Sequence, residues 1–563
     1  MTSKKQLRVR MEKVGLMSRL RTRCILVAVS VAFGWLLFVF HFVSVGRTPE
    51  SNANTQVNLP FLAWQQRESL RSSFLPSPEK FASRDTLSEA EAQTFTDTGS
   101  LEVGQVDISN QEADCRGKYL YLYELPKMFN ERLLEGCEGL TMWADMCKET
   151  VNQGFGPPME DPDGVFQGPA WYATNQFMLE LIFHDRIRKH KCLTQDSSKA
   201  NALFVPFYGG LDVMPHLWDG ANITERDSVP KALEKWLMNR PEWKRLDGHD
   251  HFMTGGRITW DFRRRTEQES DWGNKLLLLP GIVNLTTLII EASPWHPNDY
   301  AVPYPTYFHP STDEQVLSWQ DFVRKAKRPS LFCFAGAPRP EIDASIRSQL
   351  MSHCDKSEYC NLLACGKSHG KCHSPSNVMK LFKESVFCLQ PQGDSFTRRS
   401  IFDSMLAGCI PVFFHVFTAY TQYGWHLPDD HSTYSVFIHE DNVRAGNVSV
   451  EQVLRNIPPE QVQRMRETVI SLIPKIVYAQ PNNKMTLKDG FDIAIEGVLG
   501  RITDYKKSLG ASVAVKHQQP ENKDVLTTED IWRKDQAEKE AQRMKLEQAK
   551  SEQLSRLSDS NTQ

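Results

Sequence analysis

The chain has 563 residues, 40% of them hydrophobic and 24% charged, with a formal net charge of -3. That length implies more than one folding unit, and that apolar share excludes a chain disordered throughout. The near-neutral balance excludes an overall basic footprint, so no nucleic acid is expected as a partner.

Bulk charge hides one asymmetry at the amino end. Residues 1–23 carry Lys4, Lys5, Arg8, Arg10, Lys13, Arg19, Arg21 and Arg23 against Glu12, which reads as a cytosolic basic tail. Residues 24–45 follow with no acidic residue, Lys or Arg. That run is long enough to cross a bilayer core of ~30 Å as a helix and too long for the apolar core of a cleavable signal peptide. A buried core helix would not need a basic flank on one side. By the positive-inside tendency the remainder of the chain is luminal, a single-pass type II topology. Residues 46–112, polar and rich in Ser, Glu, Gln and Thr, read as a luminal stem.

Order is expected from Lys118-Tyr-Leu-Tyr-Leu-Tyr123, which is made of strand formers. Ala173, Phe177 and Leu181, with Met178 and Ile182 alongside, predict a helix over 172–188. Strands are predicted at 202–207, 251–253, 275–279 and 287–290, with a helix over 229–238 that stops before Pro241. This alternation predicts an α/β domain with a parallel sheet over 113–320. A second α/β domain is expected over 321–509. It opens with a strand at 330–335, then a turn holding Gly336 and Arg339, then a helix starting near Asp343. A strand at 385–389, a helix at 397–407 and a strand at 409–414 follow, with Gly408 suited to the position just past a helix end. Residues 450–477 read as largely helical. Residues 510–563 form a charged tail, disordered or helical, without a sustained heptad.

Within the second domain an apolar strand runs into Gln392, Gly393, Asp394 and Ser395, and a helix opens at once with Arg398 and Arg399. Unpaired N–H groups, the helix dipole and two guanidinium groups make an anion site. Asp403 lies farther along, where a carboxylate can accept from ribose hydroxyls. A nucleotide-sugar site is the chemistry this pattern predicts, against the plainer reading of an ordinary turn with surface arginines. Gly336 and Arg339 are a second phosphate candidate or a strand-capping turn.

Of twelve cysteines, Cys24 falls in the membrane span. Disulfides are expected among Cys115, Cys137, Cys147 and Cys192, and among Cys354, Cys360, Cys365 and Cys372, with zinc as the weaker alternative for the second group. Cys333, Cys388 and Cys409 read as buried strand residues. Asn222-Ile-Thr224, Asn284-Leu-Thr286 and Asn447-Val-Ser449 are glycosylation acceptors in a luminal chain.

The order of residues from Cys115 to Arg501 resembles the exostosin-like glycosyltransferases of family 47, and within them the plant xyloglucan galactosyltransferases (Katamari/Murus type). The resemblance rests on the donor segment together with Tyr172-Ala-Thr-Asn-Gln-Phe177, Phe204-Val-Pro-Phe-Tyr-Gly-Gly-Leu-Asp212, Gly256-Arg-Ile-Thr-Trp-Asp-Phe-Arg263, Asp271-Trp-Gly-Asn274, Pro303-Tyr-Pro-Thr-Tyr-Phe308, Phe334-Ala-Gly-Ala-Pro-Arg339 and Tyr420-Thr-Gln-Tyr423. It implies a GT-B plan, two Rossmann-like domains facing a cleft, with terminal helices at 491–509 crossing back onto the first. It implies a Golgi enzyme that moves galactose from UDP-galactose to xylose side chains of xyloglucan with inversion, forming a β-1,2 bond. Complexes with other wall-polysaccharide transferases belong to the same expectation. A galacturonosyltransferase using UDP-galacturonate is the rival within the class, and a non-catalytic glycan-binding or scaffold protein the rival outside it.

Inverting transfer needs a base for the acceptor hydroxyl and charge stabilisation for the leaving diphosphate. No metal or other cofactor is expected: Asp161-Pro-Asp163 is the obvious DxD match, and it sits in a Pro/Gly-rich loop that reads as a turn. The base is sought in the first domain. Asp212 follows the strand at 202–207 and a Tyr-Gly-Gly turn, and Glu291 ends the strand at 287–290. His251, where a strand starts, is a base or a donor-phosphate contact; its His-x-His spacing with His249 could suggest metal but shows no third ligand. Trp171, Tyr208, Trp260, Trp295, Tyr304, Tyr307 and Tyr423 are candidates for stacking on sugars or for core packing.

Overall fold

The computed structural model describes residues 115–516, apart from 143, 162, 219, 339–344, 366–371 and 373. The expected basic tail, membrane span and stem lie outside the described residues, as do Arg339 and the tail beyond 516.

Two parallel sheets organise the described residues. The first holds β1 (Leu120–Leu122), β2 (Leu193–Thr194), β3 (Ala202–Val205), β4 (His251–Ile258), β5 (Thr286–Glu291) and β6 (Asp299–Ala301), in the order β2-β1-β3-β4-β5-β6. Every residue of β3 and β5 is buried, as expected for strands covered by helices on both faces. The second holds β7 (Ser330–Gly336), β8 (Cys360–Ala364), β9 (Ser385–Gln390), β10 (Ile410–Phe413) and β11 (Val436–Phe437), in the order β11-β10-β9-β7-β8. The helices that matter below are α1 (Leu179–Arg188), α2 (Gly209–Val213), α3 (Ser228–Met238), α4 (Asp313–Lys325), α5 (Ile346–Asp355), α6 (Pro375–Lys383), α7 (Arg399–Leu406), α8 (Glu440–Arg444) and α9 (Gly490–Lys516).

Two expected elements differ. The helix expected from residue 172 begins at Leu179, because Trp171 and Tyr172 form bridges to Phe308 and Pro158 instead. The leucine run at 275–279 is a single tight turn, Leu276–Leu278, not a strand. A short buried apolar run has no periodicity that separates the two.

Arg328 locks the second half. Its guanidinium donates to the carbonyls of Val323, Phe382, Ser385 and Ala407, at distances from 2.6 to 3.4 Å. Three of those carbonyls belong to the carboxyl ends of α4, α6 and α7, where the dipoles favour a cation. Gly408 follows α7 with φ +67°, and a Cβ there would lie 3.0 Å from the same guanidinium.

The chain passes between the halves twice, and the two passages are bonded side by side. Gln480 N donates to Pro310 O at 2.9 Å, Lys484 N to Ser311 O at 2.7 Å, and His309 Nδ1 pairs with Tyr478 O at 2.7 Å. Beyond them α9 lies on the first half: Arg186 pairs with Asp489, Phe183 packs on Phe491 at 5.1 Å, and Arg501 donates to Thr286 Oγ1 at 2.6 Å.

Disulfides join Cys115 to Cys192, Cys137 to Cys147, Cys354 to Cys360, and Cys365 to Cys372. The second expected group is thus paired within itself, which takes its sulfurs out of zinc ligation. Cys333, Cys388 and Cys409 are buried as expected; Cys388 and Cys409 are in addition joined to each other, and among the described residues Cys333 is the free thiol. Parallel pairing of β9 with β10 sets Cys388 opposite Pro411, and the turn after α7 brings Cys409 within reach.

Candidate active site

The carboxyl ends of the two sheets meet at Glu291, the last residue of β5. Its Oε2 accepts from Ser395 Oγ at 2.7 Å, Thr397 N at 2.7 Å and Thr397 Oγ1 at 2.6 Å. Tyr304 OH lies 3.1 Å from Thr397 Oγ1, Gln422 bonds both backbone groups of Ala292, and Tyr423 OH donates to Ile290 O. Glu291 therefore ties the first sheet to the donor turn. Burial pushes its carboxyl up, and the bonds from Thr397 and Ser395 pull it back. Three donors already occupy Oε2, which sets Glu291 behind Asp212 on the shortlist of bases.

His251 leaves that shortlist. It opens β4, at the amino end of the sheet, and is fully buried. Its ring bonds Tyr123 OH at 2.9 Å and Asp250 Oδ1 at 2.8 Å, and Asp250 pairs with Arg245. Nearby, His249 stacks on Tyr505 at 4.1 Å.

Asp212 remains. It sits in α2, the single turn that follows β3, at the carboxyl edge. Its side chain is buried. Burial alone pushes its pKa up to about 7, the range where a carboxylate works as a general base near neutrality.

Beneath it lies a residue that the sequence reading missed. Glu180, in the first turn of α1, accepts from Gly210 N at 2.6 Å and Gly256 N at 3.0 Å. Its neighbours Leu179, Leu181, Ile182 and Phe183 are all buried. An acid inside an apolar helix face was the signal available. Arg257 follows Gly256 and bonds Asp261, whose other oxygen accepts from Trp272 Nε1 at 2.6 Å. Tyr304 connects the two edges electrostatically: burial raises its hydroxyl, Glu291 and Asp261 raise it further, and Arg398 lowers it.

On the second sheet, Gln392 donates from Nε2 to both oxygens of Glu440 at 3.1 Å, and Arg444 Nη2 pairs with Glu440 at 2.7 Å. Burial raises the Glu440 carboxyl, chiefly against the charge of Arg444. Gln392 Oε1 is buried with no donor among the described residues. A Cβ on Gly393 would lie 2.4 Å from Arg398 Nη1, so glycine lets that guanidinium fold over the turn. Asp394 is exposed at its tip. Arg398 precedes the first residue of α7, at the positive end of the helix. A Cβ on Gly336 would lie 2.6 Å from the Phe334 ring and 3.4 Å from Arg347 Nη2. Glu440, the stack of Phe396 on His415 at 4.8 Å, and the edge contact of Trp295 with Phe417 at 5.7 Å were not anticipated. Those side chains come from segments far apart in sequence.

Two of the donor-site candidates are paired with each other. Arg399 turns away from the donor turn: it bonds Asp403 at 3.1 Å, donates to Thr174 O, and lies 3.6 Å over the Tyr307 ring. Asp403 is fully buried in that pair, with burial pushing its pKa up to about 6 despite Arg399. Arg399 Nη2 and Asp403 Oδ1 are each buried with no partner among the described residues. Asp161 accepts from Val165 N at 2.8 Å and Phe166 N at 2.9 Å, the expected turn. Trp171, Tyr208, Tyr304 and Tyr423 are buried core, whereas Trp260 is exposed. Asn222 and Asn447 are exposed, and the Asn284 amide donates to Asp247.

The Exostosin GT47 domain matches residues 114–454. The xyloglucan galactosyltransferase MUR3 of Arabidopsis thaliana is 47% identical over 530 residues, 89% of this chain and 85% of the relative. The probable xyloglucan galactosyltransferase GT12 of Arabidopsis thaliana is 46% identical over 420 residues, 73% of this chain and 82% of the relative. The xyloglucan galactosyltransferase XLT2 of Arabidopsis thaliana is 46% identical over 399 residues, 70% of this chain and 76% of the relative.

Proposed function

The chain belongs to the exostosin GT47 family, and from that premise we propose that it transfers galactose from UDP-galactose to xylose side chains of xyloglucan. The observation that carries the reading is the meeting of a base-like carboxylate edge and an anion-binding turn, in a chain close to named xyloglucan galactosyltransferases. The halves act as a GT-B enzyme. The nucleotide rests against the donor turn, with Gly393 giving room, Arg398 and the start of α7 facing the diphosphate, and Gln392 Oε1 accepting from the ligand. Gly336 lines the same sheet edge.

Asp212 takes the proton from the xylose hydroxyl as its oxygen attacks the anomeric carbon of galactose. The bond to the diphosphate breaks, UDP leaves, and the linkage inverts to β-1,2. Charge on the leaving group falls to Arg398 and the helix dipole, so the reading needs no metal. The enzyme works as a type II Golgi protein, anchored by residues 24–45, with Asn222 and Asn447 the better placed glycan acceptors.

The test is transfer by the purified full chain with UDP-galactose and with UDP-galacturonate onto xyloglucan oligosaccharides. Galactosylated product from the first donor alone is the expected result. Galacturonosylated product, or none from either donor, overturns the reading.

A further inference from the structure

We propose that Trp218 and Trp272 form a platform for the β-glucan main chain of the acceptor, a binding subsite on the same edge as Asp212. The inference rests on the reading of xyloglucan as acceptor. Both tryptophans follow the carboxyl ends of adjacent central strands. Trp218 comes after β3, the turn of α2 and the tight turn Pro215–Leu217; Trp272 lies in the segment 264–274 that follows β4. Their rings meet edge to face, with centroids 4.8 Å apart and planes at 77°. Trp218 nevertheless stays 58% exposed, and Trp260, also after β4, stays 40% exposed. One exposed ring is ordinary on a protein surface, but a packed pair left open at a cleft edge marks a binding surface.

The segment bearing Trp272 is held from beneath by two buried arginines. Arg226 donates from Nη1 to Asp271 O at 2.5 Å and Gly273 O at 3.2 Å, and from Nη2 to Glu269 O at 2.8 Å. Arg264 donates to Gly273 O at 2.9 Å and pairs with Asp227 at 2.6 Å. The segment closes where Arg264 N donates to Asn274 O and Asn274 N to Asp261 O, each at 2.9 Å. Gly273 permits that closure, since a Cβ there would lie 2.3 Å from Asp261 O. The Trp272 ring is fixed in turn: its Nε1 donates to Asp261 Oδ1 at 2.6 Å, and Arg257 Nε holds the other oxygen at 2.5 Å. Surface segments ordinarily move, and burying a cation is costly unless its donors are met. Two buried guanidinium groups spent on one segment give a rigid ring, which is what a binding site requires. The chemistry of the surface selects the ligand. A β-linked glucan offers C–H faces that lie on indole rings and hydroxyls that bond to polar groups at the rim, here Arg257 and Asp271. Holding the main chain on this edge brings a xylose branch toward Asp212. A second protein seated on the same rings is the competing occupant.

The experiment uses the full chain in detergent as wild type, W218A and W218F. Two readouts are taken: transfer kinetics with UDP-galactose and xyloglucan oligosaccharides, and calorimetric binding of cellohexaose, an unsubstituted β-glucan. W218A should raise KM for the oligosaccharide about 10-fold, the order of one lost ring contact, while kcat moves far less. An unchanged KM for UDP-galactose shows that the variant is folded. W218F keeps a ring and should recover part of the loss. Cellohexaose should bind wild type, compete with the oligosaccharide, and bind W218A about 10-fold more weakly. The proposal is overturned if wild type binds no cellohexaose, or if W218A keeps both the oligosaccharide KM and the cellohexaose affinity within about twofold of wild type. It is also overturned if W218A changes only the sedimentation of the protein, which would assign the rings to a protein partner. Cellohexaose binding needs no turnover, so it separates the two failures. A wild type that binds cellohexaose through Trp218 yet galactosylates no xyloglucan oligosaccharide sinks the functional reading and leaves the platform standing.

Discussion

The two carboxyl edges treat charge in opposite ways. On the first sheet, Asp212 and Glu180 are buried without cationic partners, and both hold protons to near neutral pH. On the second sheet Glu440 is paired with Arg444 and bonded by Gln392, and Asp403 is paired with Arg399. Burial raises the carboxyl on both edges, and a cationic partner limits the rise, as Arg399 does for Asp403, which reaches about 6.

The strongest way to break this contrast is D212N, which should lower kcat by about 10²- to 10⁴-fold while leaving UDP binding by calorimetry intact. Unchanged turnover would show that the unpaired edge is not the chemical one. Next comes R399A, which leaves Asp403 buried beside nothing. It should destabilise the fold by about 3–5 kcal/mol in chemical unfolding, with UDP affinity little changed in the folded fraction. R398A should do the reverse, weakening UDP by about 10- to 100-fold with a small effect on unfolding, as expected for a lost charge-assisted bond. Equal effects of the two arginine variants on UDP would blur the contrast.

The mildest effect is on pH-dependent stability. The Asp212 carboxyl rises from an ordinary 3.8 to about 7 in the fold, and that of Glu180 from 4.5 to about 8. Between those limits the native chain binds more protons than the unfolded one, so stability falls as pH rises. Melting temperature should drift down by a few degrees from pH 5 to 8, and the drift should shrink in D212N.

The sequence made the second edge readable because its parts are contiguous. Gln392 to Asp403 lies within one strand-turn-helix unit, and both the turn and the start of α7 occur where expected. The spacing of Arg399 and Asp403, four apart on a helix, already matched an ion pair, yet their charges suggested a ligand. Only the Thr174 carbonyl and the Tyr307 ring, supplied by the other half, redirect them. The first edge was readable only at Asp212. Glu180 is thirty positions from the glycine it holds, and no local pattern announces that contact. Glu291 was found for its place at a strand end, but its duty follows from three donors on a distant turn.

The paired passages near Pro310 and Gln480 leave the halves few degrees of freedom. Two adjacent crossings, together with the bonds from Ser395 and Thr397 to Glu291, join the halves at more than one place. Cutting either crossing alone would leave the other, together with α9 lying on the first half, to keep the halves in register.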